Sequence, residues 1–147
     1  MSTTKDQHFL IDPGTVELIL SLLDVSGHTV LEIGPGTGIL TRGLLAHGAE
    51  VIAVELDHHL CTTLALTLGH EIEEGQLTLI AGDATRCELP PFEYVVANLP
   101  YSISSRLTFR LLDIGFTEGI LMYQKEFADR MAARPGTTAC GRLSIMV

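Results

Sequence analysis

The chain has 147 residues, of which 46% are hydrophobic and 18% charged, a composition typical of one globular domain and not of a disordered segment. Its formal net charge of −9 argues against nucleic-acid binding, because contacts with phosphates need lysine and arginine. No apolar run approaches the roughly 20 residues that span a bilayer, and the N-terminus lacks the apolar core of a secretory signal. The three cysteines form no CxxC pair and their number is odd, so we expect a reducing cytoplasm and not a disulfide framework.

Short β-branched runs alternate with longer helical patterns, which predicts a mostly parallel α/β sheet with helices on both faces. Asp12 and Pro13 are typical of a helix N-cap and first turn. Gly48 is typical of the residue after a helix end. The predicted strands are 29–34, 50–57, 77–83, 94–99, 119–124 and 142–147, and the predicted helices are 12–23, 37–48, 58–69, 104–115 and 125–136. The acidic run at 71–75 is predicted to be a solvated connection.

Three glycines, Gly34, Gly36 and Gly38, lie between the first strand and the next helix in the sequence EIGPGTG. Glycine lets the backbone turn sharply and approach a ligand, and the helix start offers N–H groups to an anion. The third glycine comes two residues after the second, whereas the dinucleotide fingerprint requires three. With Glu32 just before it, this spacing resembles the glycine turn of S-adenosylmethionine (SAM) enzymes. In those enzymes the methionine end of the cofactor lies near the turn.

Acidic residues end the next two predicted strands. Glu55 follows Gly34 by 21 residues, at the place where an acid accepts hydrogen bonds from ribose hydroxyls. Asp83 ends the third strand, where it could accept a hydrogen bond from an adenine amino group. Open α/β sheets bind ligands at the carboxyl ends of their strands, so the three features together indicate a SAM site. Each feature alone is equally compatible with a tight turn or a solvated strand end.

The fourth strand ends in Asn98, Leu99, Pro100 and Tyr101, a tetrapeptide that resembles those of methyltransferases acting on planar amino groups. An exocyclic amine is a poor nucleophile because its lone pair is delocalised into the ring. The Asn98 side-chain oxygen and the carbonyl of Leu99 or Pro100 would accept its two hydrogens, in bonds that strengthen as the nitrogen becomes tetrahedral and positive. Tyr101 would stack on the base for ~1–3 kcal/mol, and Pro100 would hold the turn rigid. The alternative is a proline-containing turn with a core tyrosine.

His58, His59 and Cys61 could suggest a metal site. The sequence has no second cluster at a spacing typical of zinc ligands, and these residues follow Glu55 at a helix start. We therefore expect a solvated helix terminus and no metal.

Seven segments support a resemblance to a known family. They are QHFLID at 7–12, EIGPGTGILT at 32–41, VELD at 54–57, GDA at 82–84, NLPYSIS at 98–104, YQKEFADRM at 123–131 and GRLSIMV at 141–147. In this order they resemble the small-subunit ribosomal RNA adenine N6,N6-dimethyltransferases (the KsgA type) over nearly the whole chain. The resemblance implies a Rossmann-like class I SAM-dependent methyltransferase domain over residues 1–147, incomplete at its C-terminus.

The resemblance also implies a role for each matching residue. The N-terminal segment would close over SAM, with His8 and Leu10 in contact with it. Gly34 would lie at the methionine end, Glu55 on the ribose and Asp83 on the adenine. The implied cofactor-binding residues are His8, Leu10, Gly34, Gly36, Gly38, Glu55, Asp83 and Asn98, the last also at the point of methyl transfer.

The implied reaction transfers methyl groups from SAM to N6 of two adjacent adenines in a hairpin loop near the 3′ end of small-subunit (16S) rRNA, during ribosome biogenesis. The implied partner is this rRNA in a pre-30S particle, and we expect a cytoplasmic monomer without membrane contact. The family's F-x-P-x-P-K-V motif and helical C-terminal domain are absent here, so we expect the last strands and part of the RNA surface to be missing. The basic residues expected to face RNA phosphates or solvent are Arg106, Arg110, Lys125, Arg130, Arg134 and Arg142.

Two other functions stay open. One is a SAM enzyme acting on another planar amine or amide, such as a DNA adenine or a protein glutamine. The segments QHFLID and QKE…GRLS argue against it. The other is a ribosome-assembly or RNA-binding factor without turnover, against which the intact tetrapeptide at Asn98 argues.

Overall fold

The computed structural model describes residues 11–99, 104–122 and 142–146. The strands are β1 (Thr29–Ile33), β2 (Glu50–Glu55), β3 (Leu77–Ala81), β4 (Tyr94–Asn98), β5 (Glu118–Met122) and β6 (Arg142–Met146). The helices are α1 (Pro13–Leu22), α2 (Ile39–Ala46), α3 (His58–Thr67), α4 (Gly69–Glu73) and α5 (Ser104–Ile114). The strands form one sheet in the order β3-β2-β1-β4-β5-β6, and all neighbouring strands run parallel, which confirms the predicted α/β class. Within the described ranges, no helix is both long and apolar enough to cross a membrane.

The predicted elements differ from the observed ones mainly at their ends. All six predicted strands are present, and each ends one or two residues earlier than predicted. The prediction that residues 71–75 form a connection was wrong for the first three, because α4 continues to Glu73. Ile72 packs against the core, which gives this short helix an apolar anchor that the acidic run hides in the sequence. The helix predicted over 125–136 lies outside the described residues.

Capping residues define the ends of the helices, as predicted. The Asp12 carboxylate accepts a hydrogen bond from the Thr15 N–H at 2.7 Å, and Pro13 opens α1. Gly48 follows the C-cap of α2 with a φ of +87°, and its N–H donates to the Leu45 carbonyl. Gly48 therefore has the role predicted for it, in a conformation that glycine adopts without strain.

Helices cover both faces of the sheet. Because side chains alternate along a strand, Val30 of β1 faces one side and Leu31 faces the other. Helices α1 to α4 pack on the Val30 face, and α5 packs on the Leu31 face through Leu107 and Leu111. Burial on both faces explains why these strands read as continuous apolar runs without alternation.

One acidic side chain, Glu32 of β1, lies inside the core at 1% exposure. Its Oε1 accepts a hydrogen bond from the Thr41 hydroxyl of α2 at 2.6 Å, and its Oε2 has no hydrogen-bond partner within the described part of the chain. Burial raises the pKa of Glu32 from 4.5 to about 7, and the Glu55 carboxylate adds to this rise while the Thr41 bond opposes it.

Packing around Gly119 of β5 generates the first prediction. A Cβ there would come 2.7 Å from Val95 Cγ1 and 2.9 Å from Phe116 Cε2. We expect Gly119→Ala to lower the free energy of unfolding by ~1–3 kcal/mol through overpacking, measured by urea denaturation. Gly69→Ala is the control, because its Cβ would meet nothing within 4 Å and alanine favours helix. Equal loss in the two variants would contradict this account.

The buried Glu32 generates a prediction of pH dependence. The folded chain holds this proton more tightly than the unfolded chain, so stability should fall as the pH rises from 4.5 to about 7 and then level off. This difference in pKa corresponds to about 3 kcal/mol. Glu32→Gln resembles the protonated side chain, so its stability profile, measured by chemical denaturation across this range, should lack the decline. Glu50→Gln, at the exposed start of β2, should keep it, and parallel profiles for Glu32→Gln and the wild type would refute the assignment.

Candidate functional site

The predicted site residues that the structure describes lie at one edge of the sheet. The strands run parallel, so their carboxyl ends lie together, and the chain progresses outward in opposite directions from β1, with β2 on one side and β4 on the other. This reversal opens a crevice at which open α/β sheets bind ligands. Gly34 follows β1, Glu55 ends β2, Asp83 follows β3 and Asn98 ends β4.

The glycine turn and the end of β4 approach each other closely. Gly34 has a φ of +77°, and a Cβ at this position would lie 2.9 Å from the main-chain oxygen of Asn98. The Gly34 N–H also donates to the Val54 carbonyl of β2 at 3.0 Å. A side chain at this position would displace backbone and not a flexible side chain, so the contact requires glycine.

Glu55 fixes the middle of the same turn. Its Oε1 accepts a hydrogen bond from the Gly36 N–H at 3.2 Å, and its Oε2 accepts one from the Asp57 N–H at 3.0 Å. The residue is only 8% exposed, yet each carboxylate oxygen keeps a second lone pair for a further donor. A Cβ on Gly36 would meet nothing within 4 Å, so space is open above this part of the turn.

Gly38 has a different environment from the other two glycines. It is the N-cap of α2, and a Cβ there would lie 2.8 Å from Leu64 Cδ2 of α3. The left-handed φ of +90° requires glycine at this position, and packing against α3 adds to that requirement. The sequence pattern alone did not distinguish this packing glycine from the glycines that face the crevice.

Asp83 opens a tight turn after β3. Its Oδ1 accepts hydrogen bonds from the Thr85 hydroxyl at 2.6 Å and from the Thr85 N–H at 2.9 Å. These bonds, the hydroxyl first, lower the pKa of Asp83, and the nearby Arg86 and Arg106 contribute. Its Oδ2 lies 3.8 Å from Arg86 Nε, an ion pair between side chains that are 36% and 77% exposed. The carboxylate is therefore an ionised acceptor with one oxygen held by the protein.

The predicted catalytic tetrapeptide is described in its first half. Asn98 is half-buried at the end of β4. Leu99 is fully buried in the core of the α5 face, and its N–H donates to the Met122 carbonyl at 3.0 Å. Any role of Leu99 in chemistry is thus limited to its main-chain carbonyl. Pro100 and Tyr101 lie outside the described residues, as do His8 and Leu10.

Leu56 is a further residue at this edge that was not predicted from the sequence. This side chain is 62% exposed between Glu55 and Asp57, an apolar group at an otherwise polar edge. An exposed leucine directly after the strand-end acid was the signal that could have identified it. The next residue, Asp57, is the N-cap of α3, accepting hydrogen bonds from the N–H groups of His59 and Leu60.

The structure locates His58 and His59 at the exposed first turn of α3, as predicted, whereas Cys61 is buried. Burial, with the charges of Glu55 and Asp57, raises the pKa of the Cys61 thiol. Across the described ranges, no group of three or more histidine, cysteine, aspartate or glutamate side chains is arranged to hold a metal ion.

Comparisons with known proteins identify the family. The family model "Ribosomal RNA adenine dimethylase" matches residues 2–147. A relative described as a probable ribosomal RNA small subunit methyltransferase A, from Methanospirillum hungatei JF-1, is 63% identical over the whole chain and 57% of its own length. One of the same description from Halobacterium salinarum is 49% identical over 95% of this chain and 50% of its own. The chain spans about half the length of these relatives.

Solved structures show the same fold. A dimethyladenosine transferase from Plasmodium falciparum superposes with a TM-score of 0.74 and 37% identity, over 86% of this chain and 47% of that one. The 23S rRNA methyltransferase ErmE gives 0.71 and 30%, over 82% and 50%. The enzyme class and cofactor predicted from the sequence, a methyltransferase that uses SAM, are those of the matched family. The resemblance inferred from the motifs is confirmed, and the chain belongs to the ribosomal RNA adenine dimethylase family.

Proposed function

We propose that this chain binds SAM at the β1–β4 crevice and, within the whole protein, directs methyl transfer to N6 of adenine in small-subunit rRNA. The observation that carries the proposal is the close approach of the glycine turn to the end of β4. A Cβ on Gly34 would lie only 2.9 Å from the Asn98 main-chain oxygen. This contact holds the residue expected to bind the acceptor nitrogen next to the turn expected to bind the methyl donor. The names of the relatives, which describe small-subunit rRNA methyltransferases, support the choice of substrate.

The crevice residues fit SAM in chemistry and in space. Open space above Gly36 admits a ligand at the turn, and Glu55 keeps lone pairs for two ribose hydroxyls. Asp83 supports recognition of the adenine amino group, because its Oδ2 faces only a distant, exposed arginine among the described residues. The exposed Leu56 lies between these two acids in sequence and would provide an apolar surface for the adenine ring.

The chemistry asked of the protein is to make a poor nucleophile reactive. When bound, SAM supplies an electrophilic methyl group on a sulfonium. The Asn98 side-chain oxygen and the carbonyl of Leu99 or Pro100 would accept hydrogen bonds from the adenine amino group. These bonds are stronger to the tetrahedral, positive nitrogen than to the planar one. They therefore stabilise the transition state more than the ground state and lower the activation barrier. Tyr101 would stack on the base. No strong general base is needed, because the methylated ammonium is acidic.

The finer assignment follows the family. We propose two adjacent adenines in a hairpin near the 3′ end of 16S rRNA as the substrate, each dimethylated, in a cytoplasmic pre-30S particle, by a monomer. His8 and Leu10 would close over the cofactor. The net charge of −9 opposes phosphate binding, so we expect the chain to hold SAM more firmly than RNA.

The role of Asn98 predicts a selective loss of turnover. In the complete gene product, Asn98→Ala should lower kcat for unmethylated small ribosomal subunits by ~10²–10³-fold, because one transition-state hydrogen bond is lost. Its SAM affinity, measured by calorimetry, should stay near the wild-type value. Asn98→Asp keeps a side-chain acceptor and should retain more activity than Asn98→Ala. Full activity in Asn98→Ala would rule out this role. If the wild-type protein instead preferred to methylate large subunits, adenine-containing DNA or a glutamine peptide, the proposed substrate would be wrong.

The role of Glu55 predicts a selective loss of cofactor binding. Glu55→Ala should weaken SAM binding by ~10-fold or more, since hydrogen bonds to a charged group contribute about 1.5–3 kcal/mol. Glu50→Ala removes an equal charge at the opposite, exposed end of β2 and should leave the dissociation constant unchanged. Calorimetric titration of both variants with SAM measures the difference. Equal affinities in the two would count against a ribose contact at Glu55.

A further inference from the structure

Arg110 of α5 makes contacts that the sequence did not suggest. It was among the basic residues expected to face RNA or solvent, yet it is half-buried. Its Nη1 donates to the Ala84 carbonyl, and its Nη2 donates to the Cys87 carbonyl at 2.6 Å. A single guanidinium thus holds two main-chain oxygens of the segment that follows β3.

This segment, residues 83–87, is the turn that presents Asp83. The Asp83 main-chain oxygen accepts hydrogen bonds from the N–H groups of Arg86 at 3.0 Å and Cys87 at 2.8 Å. Its side-chain Oδ1 is held by Thr85. The internal bonds therefore define the shape of the turn, whereas Arg110 joins the turn to a helix.

Apolar packing reinforces the connection to α5. Leu107 and Leu111, which flank Arg110 on α5, are fully buried. They belong to the same hydrophobic cluster as Ala84, and Cys87 packs against this cluster. The planar fork of arginine reaches two carbonyls at once, which the single ammonium of lysine does not reproduce. Because α5 follows the Asn98 tetrapeptide in the chain, Arg110 links the turn bearing Asp83 to the helix after the methyl-transfer segment.

We propose that Arg110 is a positioning residue for recognition of the cofactor's adenine, acting through the 83–87 turn to aim the Asp83 carboxylate at the exocyclic amino group. This inference rests on the proposed function. Loss of Arg110 removes the donors of two carbonyls and leaves the turn without its polar link to α5. The Asp83 side chain keeps its Thr85 bonds but loses a defined position relative to the crevice, so the preference for an amino group at this place declines.

The test uses two probes that differ only in the purine. S-adenosylhomocysteine carries the amino group, and S-inosylhomocysteine, its deaminated form, carries a carbonyl oxygen that an aspartate repels. We expect the wild-type chain to prefer the first by ~10-fold or more in calorimetry. Asp83→Asn should largely abolish this preference. Arg110→Met should reduce it toward the Asp83→Asn value, Arg110→Lys should reduce it less, and the double variant Asp83→Asn/Arg110→Met should lose little more.

Arg106→Met is the charge-matched control. Arg106 lies on the same helix and contributes to the field at Asp83, but it is exposed. Its variant should keep the wild-type preference. If Arg110→Met kept the wild-type preference while its melting temperature fell, Arg110 would be structural alone and the inference overturned. If the wild-type chain failed to bind S-adenosylhomocysteine, the proposed function would fail with it, so the two failures are distinguishable.

Discussion

The close approach of the β1 and β4 carboxyl ends is the constraint on which the rest of the site depends. At Gly34 the backbone comes so near the Asn98 main-chain oxygen that a Cβ would lie 2.9 Å from it. The same residue continues the ladder to Val54 of β2. One position without a side chain therefore contacts both neighbouring strands of β1. The order of the strands proceeds in opposite directions from this point of the sheet. The glycine turn and the end of β4 lie directly against each other because Gly34 places no side chain between them.

Two buried carboxylates lie near the carboxyl ends of β1 and β2, and that of Glu55 holds the glycine turn. Glu55 binds two main-chain N–H groups, whereas Glu32 has one hydroxyl partner and an oxygen without one among the described residues. The Glu55 charge makes the buried Glu32 harder to ionise and so contributes to the raised pKa of Glu32. A core of apolar residues alone would be more stable near neutral pH. Departures of this kind from optimal packing are expected where a protein holds a ligand-binding loop in place.

The turn after β3, which carries Asp83, is organised by hydrogen bonds within the turn and from α5. Thr85 orients one oxygen of Asp83 locally, and Arg110 holds the surrounding turn from α5. An arginine that the sequence was expected to direct toward RNA phosphates or solvent thus satisfies main-chain carbonyls inside the chain. This use of a cation leaves fewer of the positive groups available for RNA, in a chain whose net charge is already −9.

Much of the fold follows from local sequence rules, because strands buried on both faces, Asp12 as a cap and Gly48 after a helix are signals carried by neighbouring residues. The seven segments together likewise sufficed to identify the family, and the motifs around Gly34, Glu55, Asp83 and Asn98 identified the edge of the sheet. Sequence did not reveal the strand order, the packing role of Gly38 against Leu64, the bond from Gly36 to Glu55 or the inward turn of Arg110. Each of these depends on residues distant in the chain, and only the packed sheet and helices determine which of them touch.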